Sequence, residues 1–392
     1  MELTGQLQGL FSKNDIAIIP TLEYNIIESL WTKEIVMTFI SAKEAAVKWG
    51  ISQRRVSTLC AEKRIHNAEM VGNVWIIPAD AEKPQDARSL RYVEKSQAGV
   101  KPFLKWAGGK GQLLAEISTY YPFGSGQFTK YAEPFVGGGA VLFDVLNKFD
   151  LEAVYISDVN RELIGAYKSI RENVDELIAR LQEYQAAYLP ELTEGRKAYY
   201  MKMRARFNEL KLAGRDTDQV ERAALLIFLN KTCFNGLYRV NKKGAYNVPM
   251  GAYKRPLICD EENLRGIAAK LQNVEIICGD YSMARDFIDE HTFVYFDPPY
   301  RPLTATASFT SYTADCFNDD DQIALAKFVD EMAAKGAKVV VSNSDPQNAD
   351  EKDMFFDDIY AAHKIRRVSA TRMINSKATA RGKISELLIS NF

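Results

Sequence analysis

Over residues 101–392 short β-branched or aromatic runs alternate with longer stretches whose apolar residues recur at helical spacing. The runs at 130–133, 153–157, 274–278, 293–296 and 338–342 predict strands, and 174–188, 223–229 and 320–335 predict helices. Strands separated by helices predict an α/β domain around a largely parallel sheet covered on both faces. Ligands on such sheets sit beyond the carboxyl ends of the strands.

The pattern over residues 39–80 differs. Ser41 is placed to cap a helix over 42–49, Gly50 supplies a turn, and Ser52 caps a second helix running to about residue 62. A hairpin turning at Val71-Gly72-Asn73-Val74 follows, with Trp75-Ile76-Ile77-Pro78 as its second strand. Helix, glycine turn and helix at this length fit a DNA-binding helix-turn-helix, whose second helix offers Gln53, Arg54, Arg55 and Ser57 to a groove. The segment resembles the small winged helix-turn-helix domains of excisionase and MerR-like regulators; an ordinary helical hairpin is the other reading. Residues 1–38 form a leading segment to which no function is assigned, and residues 81–100 read as a polar linker containing Pro84.

A length of 392 residues favours two or three domains, and 47% hydrophobic with 26% charged residues is ordinary for a globular chain. No run of about 18 apolar residues occurs and no basic stretch leads an apolar core at the N-terminus, so a membrane partner is not expected and a cytoplasmic location is. Five dispersed cysteines without a Cys-x-x-Cys pair fit reduced thiols, and three separated histidines make a metal site a poor expectation. The net charge of −1 hides clustering. Seven basic residues and no acidic one lie between Arg222 and Cys259, and again between Lys364 and Lys383. Clustered positive charge is the footprint of a phosphate-contacting surface, although such stretches alone read equally well as solvated faces.

Three motifs fall at predicted strand ends. Glu133-Pro134-Phe135-Val136-Gly137-Gly138-Gly139 places glycines at a strand-to-helix turn, where the backbone can approach a ligand closely. Asp158 closes the next strand 19 residues after Gly139, placed either to bond the ribose of a nucleoside or to cap the following helix. Asp297-Pro298-Pro299-Tyr300 closes a third strand. An exocyclic amino group on adenine is a weak nucleophile because its lone pair is delocalised into the ring. A carboxylate and a backbone carbonyl aimed at its hydrogens would drive it toward tetrahedral geometry, consecutive prolines would stiffen the turn, and Tyr300 would stack on a base swung out of the duplex. Taken alone, the tetrapeptide also reads as a proline-rich turn. The stretch Lys105-Trp106-Ala107-Gly108-Gly109-Lys110 is no Walker A loop, because Leu104 stands where the first glycine belongs and no Ser or Thr follows Lys110.

Together with Asn235-Gly236-Leu237-Tyr238-Arg239, the segment 304–312, Ser342-Asn343-Ser344-Asp345 and the closing Arg372-Met373-Ile374-Asn375-Ser376 with Arg381-Gly382-Lys383, these motifs occur in the order typical of Dam-like DNA adenine methyltransferases. The resemblance covers residues 101–392 and implies a Rossmann-like sheet that binds S-adenosylmethionine, with a helical and hairpin target-recognition insertion over about 165–270. It implies that Trp106, Ala107, Lys110, Phe135, Gly137, Gly139, Asp158, Asp280, Tyr281 and Asp297 hold the cofactor. Asp297, Pro298, Pro299 and Tyr300 are implied as the catalytic turn.

Double-stranded DNA is the implied partner, read in GATC by Lys105, Asn235, Leu237, Arg239, Asn241 and Pro249, with Arg54 and Arg55 adding contacts from the N-terminal domain. Arg239 suits bidentate contact to guanine. Ala252 departs from the pattern where relatives often carry a basic residue, which puts GATC rather than adenine in doubt. A cognate restriction endonuclease remains an open partner. Cytosine or a protein glutamine could replace adenine in the same chemistry, and a DNA-binding regulator with a degenerate catalytic domain is the alternative of another class.

Overall fold

The computed structural model describes residues 39–50, 52–61, 64, 65, 67–72, 74–79, 81, 83, 99–106, 108–214, 218–301, 317–371 and 383–392. Ala107, the side chain of Arg55, residues 1–38, most of the linker, the segment 304–312 and the closing segment 372–382 lie outside the described residues. The chain divides into two compact units, residues 1–97 and 98–392.

In the first unit β1 (Phe39–Ser41) runs into α1 (Ala42–Trp49), followed by α2 (Gln53–Ala61), β2 (Glu69–Val71) and β3 (Val74–Pro78). The Ser41 hydroxyl accepts from the Glu44 N–H at 3.3 Å while the Glu44 carboxylate accepts from the Ser41 N–H at 2.8 Å, a reciprocal cap that starts α1. Gly50, at φ 65°, ends it in the left-handed conformation that glycine tolerates best. The strands form an antiparallel sheet in the order β1-β3-β2. Ala45, Trp49, Val56, Leu59, Ile65 and Ile77 make the small core, and Gln53 and Arg54 face solvent.

The second unit is built on a seven-stranded sheet. Its strands are β4 (Lys130–Glu133), β5 (Ala153–Asp158), β6 (Val274–Cys278), β7 (Thr292–Phe296), β8 (Lys338–Ser344), β9 (Lys364–Thr371) and β10 (Lys383–Ser390). The spatial order is β6-β5-β4-β7-β8-β10-β9, parallel throughout except that β10 runs antiparallel to both β8 and β9. Successive residues of a strand point to opposite faces, and here each face meets its own core. Val154, Ile156, Phe293 and Tyr295 pack into one cluster, while Tyr155, Val294 and Phe296 pack into the other. Burial on both faces explains why residues 293–296 of β7 read as an unbroken hydrophobic run.

Helix α3 (Ala140–Lys148) follows β4, and α4 (Arg161–Glu172) follows β5. Before β6 the chain inserts α5 (Val174–Tyr188), α6 (Thr193–Leu212), α7 (Gln219–Thr232), a long hairpin and α8 (Glu261–Lys270). Bridges Cys233–Met250 and Val240–Tyr246 define the hairpin. Helix α9 (Asp319–Ala334) joins β7 to β8.

The basic runs need correction. Arg222 is buried and ion-paired with Glu162 between α7 and α4, so it does not belong to a phosphate-facing surface. Arg366 pairs with Glu116, and Arg367 with Asp345 and Asp357. Two cations of a run without acids in sequence therefore meet their counter-charges in space. The antiparallel β9–β10 pair was also absent from the sequence pattern.

Candidate active site

The parallel strands end on one side, and the motifs gather there. After β4 the chain turns through Gly137 at φ 47° and Gly139 at φ 73°, values that side chains other than glycine rarely accept. A Cβ at Gly138 would lie 2.9 Å from the Trp106 Cβ, and one at Gly139 would lie 2.4 Å from the Tyr167 hydroxyl. The turn is glycine because the 105–110 loop and α4 crowd it. Asp158 at the end of β5 accepts from the Gly137 N–H at 3.2 Å and from the Asn160 N–H at 2.8 Å. Burial pushes its carboxyl above the usual range. Asn160, not Asp158, caps α4, since its side chain accepts from the Glu162 and Leu163 N–H groups.

Asp297 sits where β7 ends. The Lys110 ammonium lies 2.6 Å from its Oδ1 and also donates to the Gly108 carbonyl at 2.8 Å. Ser342 Oγ donates to Asp297 Oδ1 at 2.9 Å, and Tyr295 donates to Ser342 Oγ at 2.9 Å. The rest of the turn is held equally: the Pro299 carbonyl accepts from Gln322 at 2.9 Å, Gln322 in turn accepts from Asn343 at 3.1 Å, and Tyr300 donates to Glu386 at 2.6 Å. Pro298 is buried beneath it. Lys110 also lies 4.7 Å from the centre of the Tyr300 ring.

Between the glycine turn and Asp297 lies a cavity of about 190 Å³ lined by Leu104, Trp106, Lys110, Glu133, Gly137 and Asp297. Burial pushes Glu133 up to about 8, with the Asp297 charge adding to it against a 2.8 Å hydrogen bond from Tyr131. Nearby, the Phe135 and Tyr281 rings stack at 5.5 Å and 30°. Asp280 is exposed and accepts from the Ser282 N–H at 2.9 Å, starting the turn that carries Tyr281. A glycine cradle, two carboxylates, a buried ammonium and an aromatic pair fit a nucleoside bearing an amino-acid tail, which is the shape and charge of S-adenosylmethionine.

Beside this cavity stands the hairpin. Asn235 at φ 56° and Gly236 at φ 65° turn its first strand, and Asn is among the few side-chain residues that tolerate that region. Arg239 is exposed, its Nε donating to Asn247 Oδ1 at 2.8 Å. Asn241 Oδ1 accepts from the Lys243 and Ala245 N–H groups, so its side chain closes the hairpin tip. Leu237 is half-buried, and the Pro249 carbonyl accepts from the Phe234 N–H at 2.9 Å. Lys105 reaches the same surface, with Nζ 3.2 Å from the Tyr253 hydroxyl. Arg54 belongs to the other unit.

Sequence reasoning gave several residues here no individual role, although most stand inside its motifs or basic runs. Phe234 exposes 52% of its surface, and burial pushes the ammonium of half-buried Lys231 down to about 8. Glu133, Ser342 and Asn230 are buried polar groups around the cavity and hairpin. Glu133 and Ser342 stand inside quoted motifs, and the polar Asn230 directly after the apolar 223–229 run was a further signal visible in sequence. Among the described residues no group of three or more His, Cys, Asp or Glu is arranged to hold a metal ion, and no helix is long and apolar enough to cross a membrane.

A mostly parallel sheet with a glycine turn after β4 and an Asp-Pro-Pro-Tyr turn after β7 fits a Rossmann-like methyltransferase. The chain belongs to the D12 class N6 adenine-specific DNA methyltransferases, whose family model matches residues 106–374. It is 51% identical over 296 residues to the type II methyltransferase M.MjaIII of Methanocaldococcus jannaschii, covering 75% of this chain and 99% of that protein. It is 36% identical to the type II methyltransferase M1.LlaDCHI of Lactococcus lactis, covering 77% and 99% of the two chains. With the DNA adenine methylase of Escherichia coli K12 it shares 34% identity over 74% of this chain and 94% of the other. The first unit lies outside the family match.

Proposed function

We propose that the chain methylates N6 of adenine within GATC in duplex DNA, using S-adenosylmethionine and a target base turned out of the helix. The observation that carries this reading is the Asp297 carboxylate, fixed by Lys110 and Ser342 at the wall of the glycine-lined cavity. Trp106, Lys110, Phe135, Gly137, Gly139, Asp158, Asp280 and Tyr281 are the residues proposed to hold the cofactor, with Ala107 from the same loop. S-adenosylmethionine, when bound, supplies an electrophilic methyl on a sulfonium.

Asp297 accepts a hydrogen bond from the adenine amino group and draws its lone pair out of the ring. With the cofactor bound, its methyl would pass to N6, the S–C bond breaking as N6–C forms and leaving the neutral thioether; Asp297 would pass the surplus N6 proton to water. Tyr300 packs against the extruded base. Positioning and electrostatics carry the rate, without a covalent enzyme–base bond.

For recognition, Arg239 is proposed to bond guanine O6 and N7, with Leu237 and Pro249 against thymine and Lys105 on the other guanine. Asn235 and Asn241 shape the hairpin that presents them, and exposed Phe234 is proposed to stack where the adenine leaves. The DNA adenine methylase names of several relatives favour adenine as the target base; GATC is proposed on the hairpin residues alone, and a cognate restriction endonuclease is proposed as a further partner. The first unit is proposed to be a winged helix-turn-helix that adds DNA affinity through Arg54 and Arg55.

Two duplexes differing only in one GATC test the reading, the second carrying GTTC on one strand and GAAC on the other. Labelled methyl entering only the first supports it; equal labelling of both overturns the site. A target 2-aminopurine that stays quenched in the complex overturns base extrusion.

A further inference from the structure

Asn230 sits near the end of α7, in a stretch of buried and mostly apolar side chains, and is itself 2% exposed. Its amide bonds leave the helix altogether. Oδ1 accepts from the Lys105 N–H at 2.8 Å, and Nδ2 donates to the Lys105 carbonyl and to the Gly236 carbonyl, each at 2.8 Å. One buried amide thus pairs with both backbone groups of a residue in the 105–110 loop and with the turn of the hairpin.

We infer that Asn230 is a positioning residue that holds the cofactor-side loop and the DNA-side hairpin in a single frame. The inference rests on the proposed roles of that loop and that hairpin. Both N–H groups of the amide are used, and turning the amide over would set its oxygen against two carbonyls, so its orientation is fixed. Aspartate has no donor when ionised, and alanine has neither donor nor acceptor.

Two further contacts cross the same seam. The Trp106 ring stacks on Tyr238 at 5.4 Å and 28°, and a Cβ on Gly236 would fall 2.5 Å from the Lys105 Cβ. Trp106 lines the cavity, and Arg239 lies three residues beyond Gly236. Displacing Lys105 therefore moves the cavity wall, while displacing Gly236 moves the guanine-reading strand. Asn230 is not catalytic, because it acts on each side only through the backbone it holds.

The test uses the full chain and two binding measurements that need no turnover. S-adenosylmethionine is titrated calorimetrically without DNA, and GATC duplex is titrated against the altered duplex without cofactor. Asn230→Ala is expected to weaken cofactor binding by about fivefold or more and to reduce duplex discrimination by a similar factor. Asn230→Asp is expected to follow it. Arg239→Ala should change only discrimination. Both quantities within twofold of wild type, in a variant that melts cooperatively, would overturn the inference.

If Asn230→Ala does not fold, Gly236→Ala presses on Lys105 from the hairpin side and decides. The same paired loss supports the inference, and unchanged cofactor affinity overturns it. If the wild type binds cofactor yet shows no GATC preference, the site reading has failed, and cofactor affinity alone judges Asn230.

Discussion

Lys110 Nζ lies 2.6 Å from Asp297 Oδ1 and 2.7 Å from Oδ2, joining the first motif of the second unit to the Asp-Pro-Pro-Tyr turn across 187 residues. Lys110 is 5% exposed, so the ammonium is buried against the one carboxylate that the proposed chemistry requires. A buried charge that loses its partner is costly. Lys110→Ala should therefore lower both cofactor affinity and kcat, each by about tenfold or more. Calorimetric titration and single-turnover methylation check the two separately; unchanged kcat with full cofactor occupancy would remove Lys110 from the catalytic frame.

Ser342 donates to Asp297 from behind, and Tyr295 donates to Ser342. The expected effect of Ser342→Ala is a loss in kcat of about five- to tenfold, one hydrogen bond's worth, with KM for DNA little changed. Steady-state kinetics over DNA concentration resolve the split. A change confined to KM would assign Ser342 to DNA binding instead.

Arg239 is the exposed cation on the hairpin, steered by Asn247. Replacing it with alanine should cost about 1–3 kcal/mol of preference for the guanine-containing site. Competition between matched and altered duplexes measures this directly. Uniform weakening on all duplexes would instead make it a phosphate contact.

Glu133 has an ordinary value of 4.5 and is pushed up to about 8 by burial. The folded chain thus keeps a proton that the unfolded chain releases above about 4.5. Its stabilising share is complete below that value and is lost as pH climbs through about 8. Glu133→Gln removes the titration, so its Tm should fall less than that of wild type between about pH 5 and 9. Parallel slopes in thermal melts would contradict the assignment.

Lys231 titrates in the opposite sense. Burial pushes its ammonium down to about 8, so if Lys231 belongs to the DNA-facing surface its charge there is lost as pH rises through that value. DNA affinity should drop between about pH 7 and 9 more steeply in wild type than in Lys231→Arg, whose charge persists. Identical pH profiles would place Lys231 away from DNA.

Deleting residues 1–95 tests the first unit separately. The salt dependence of DNA binding should become shallower, because fewer phosphates are neutralised. Unchanged affinity, salt slope and site preference would leave the unit without a DNA-binding role.

The glycine turn at 133–139 and the Asp297–Tyr300 turn were legible because each is a local device written in consecutive residues. The same holds for the α1 cap, where Ser41 and Glu44 are three residues apart. What escaped was assembled over distance. Asn230 meets Lys105 across 125 residues, Tyr300 meets Glu386 across 86, and Arg366 meets Glu116 across 250. No local period records such pairings. Within the basic run at 364–383, Arg366 and Arg367 meet acids that stand elsewhere in the chain, which the local sequence could not record. The β9–β10 pair was hidden because charged and apolar residues are mixed along it, whereas residues 293–296 of β7 are hydrophobic without a break.

The most direct measurement is base-resolved sequencing of duplex DNA after incubation with S-adenosylmethionine, wild type beside Asp297→Ala. The account predicts 6-methyladenine at GATC with wild type and none with the variant. Methylation that persists in Asp297→Ala, or that falls on cytosine, would contradict it.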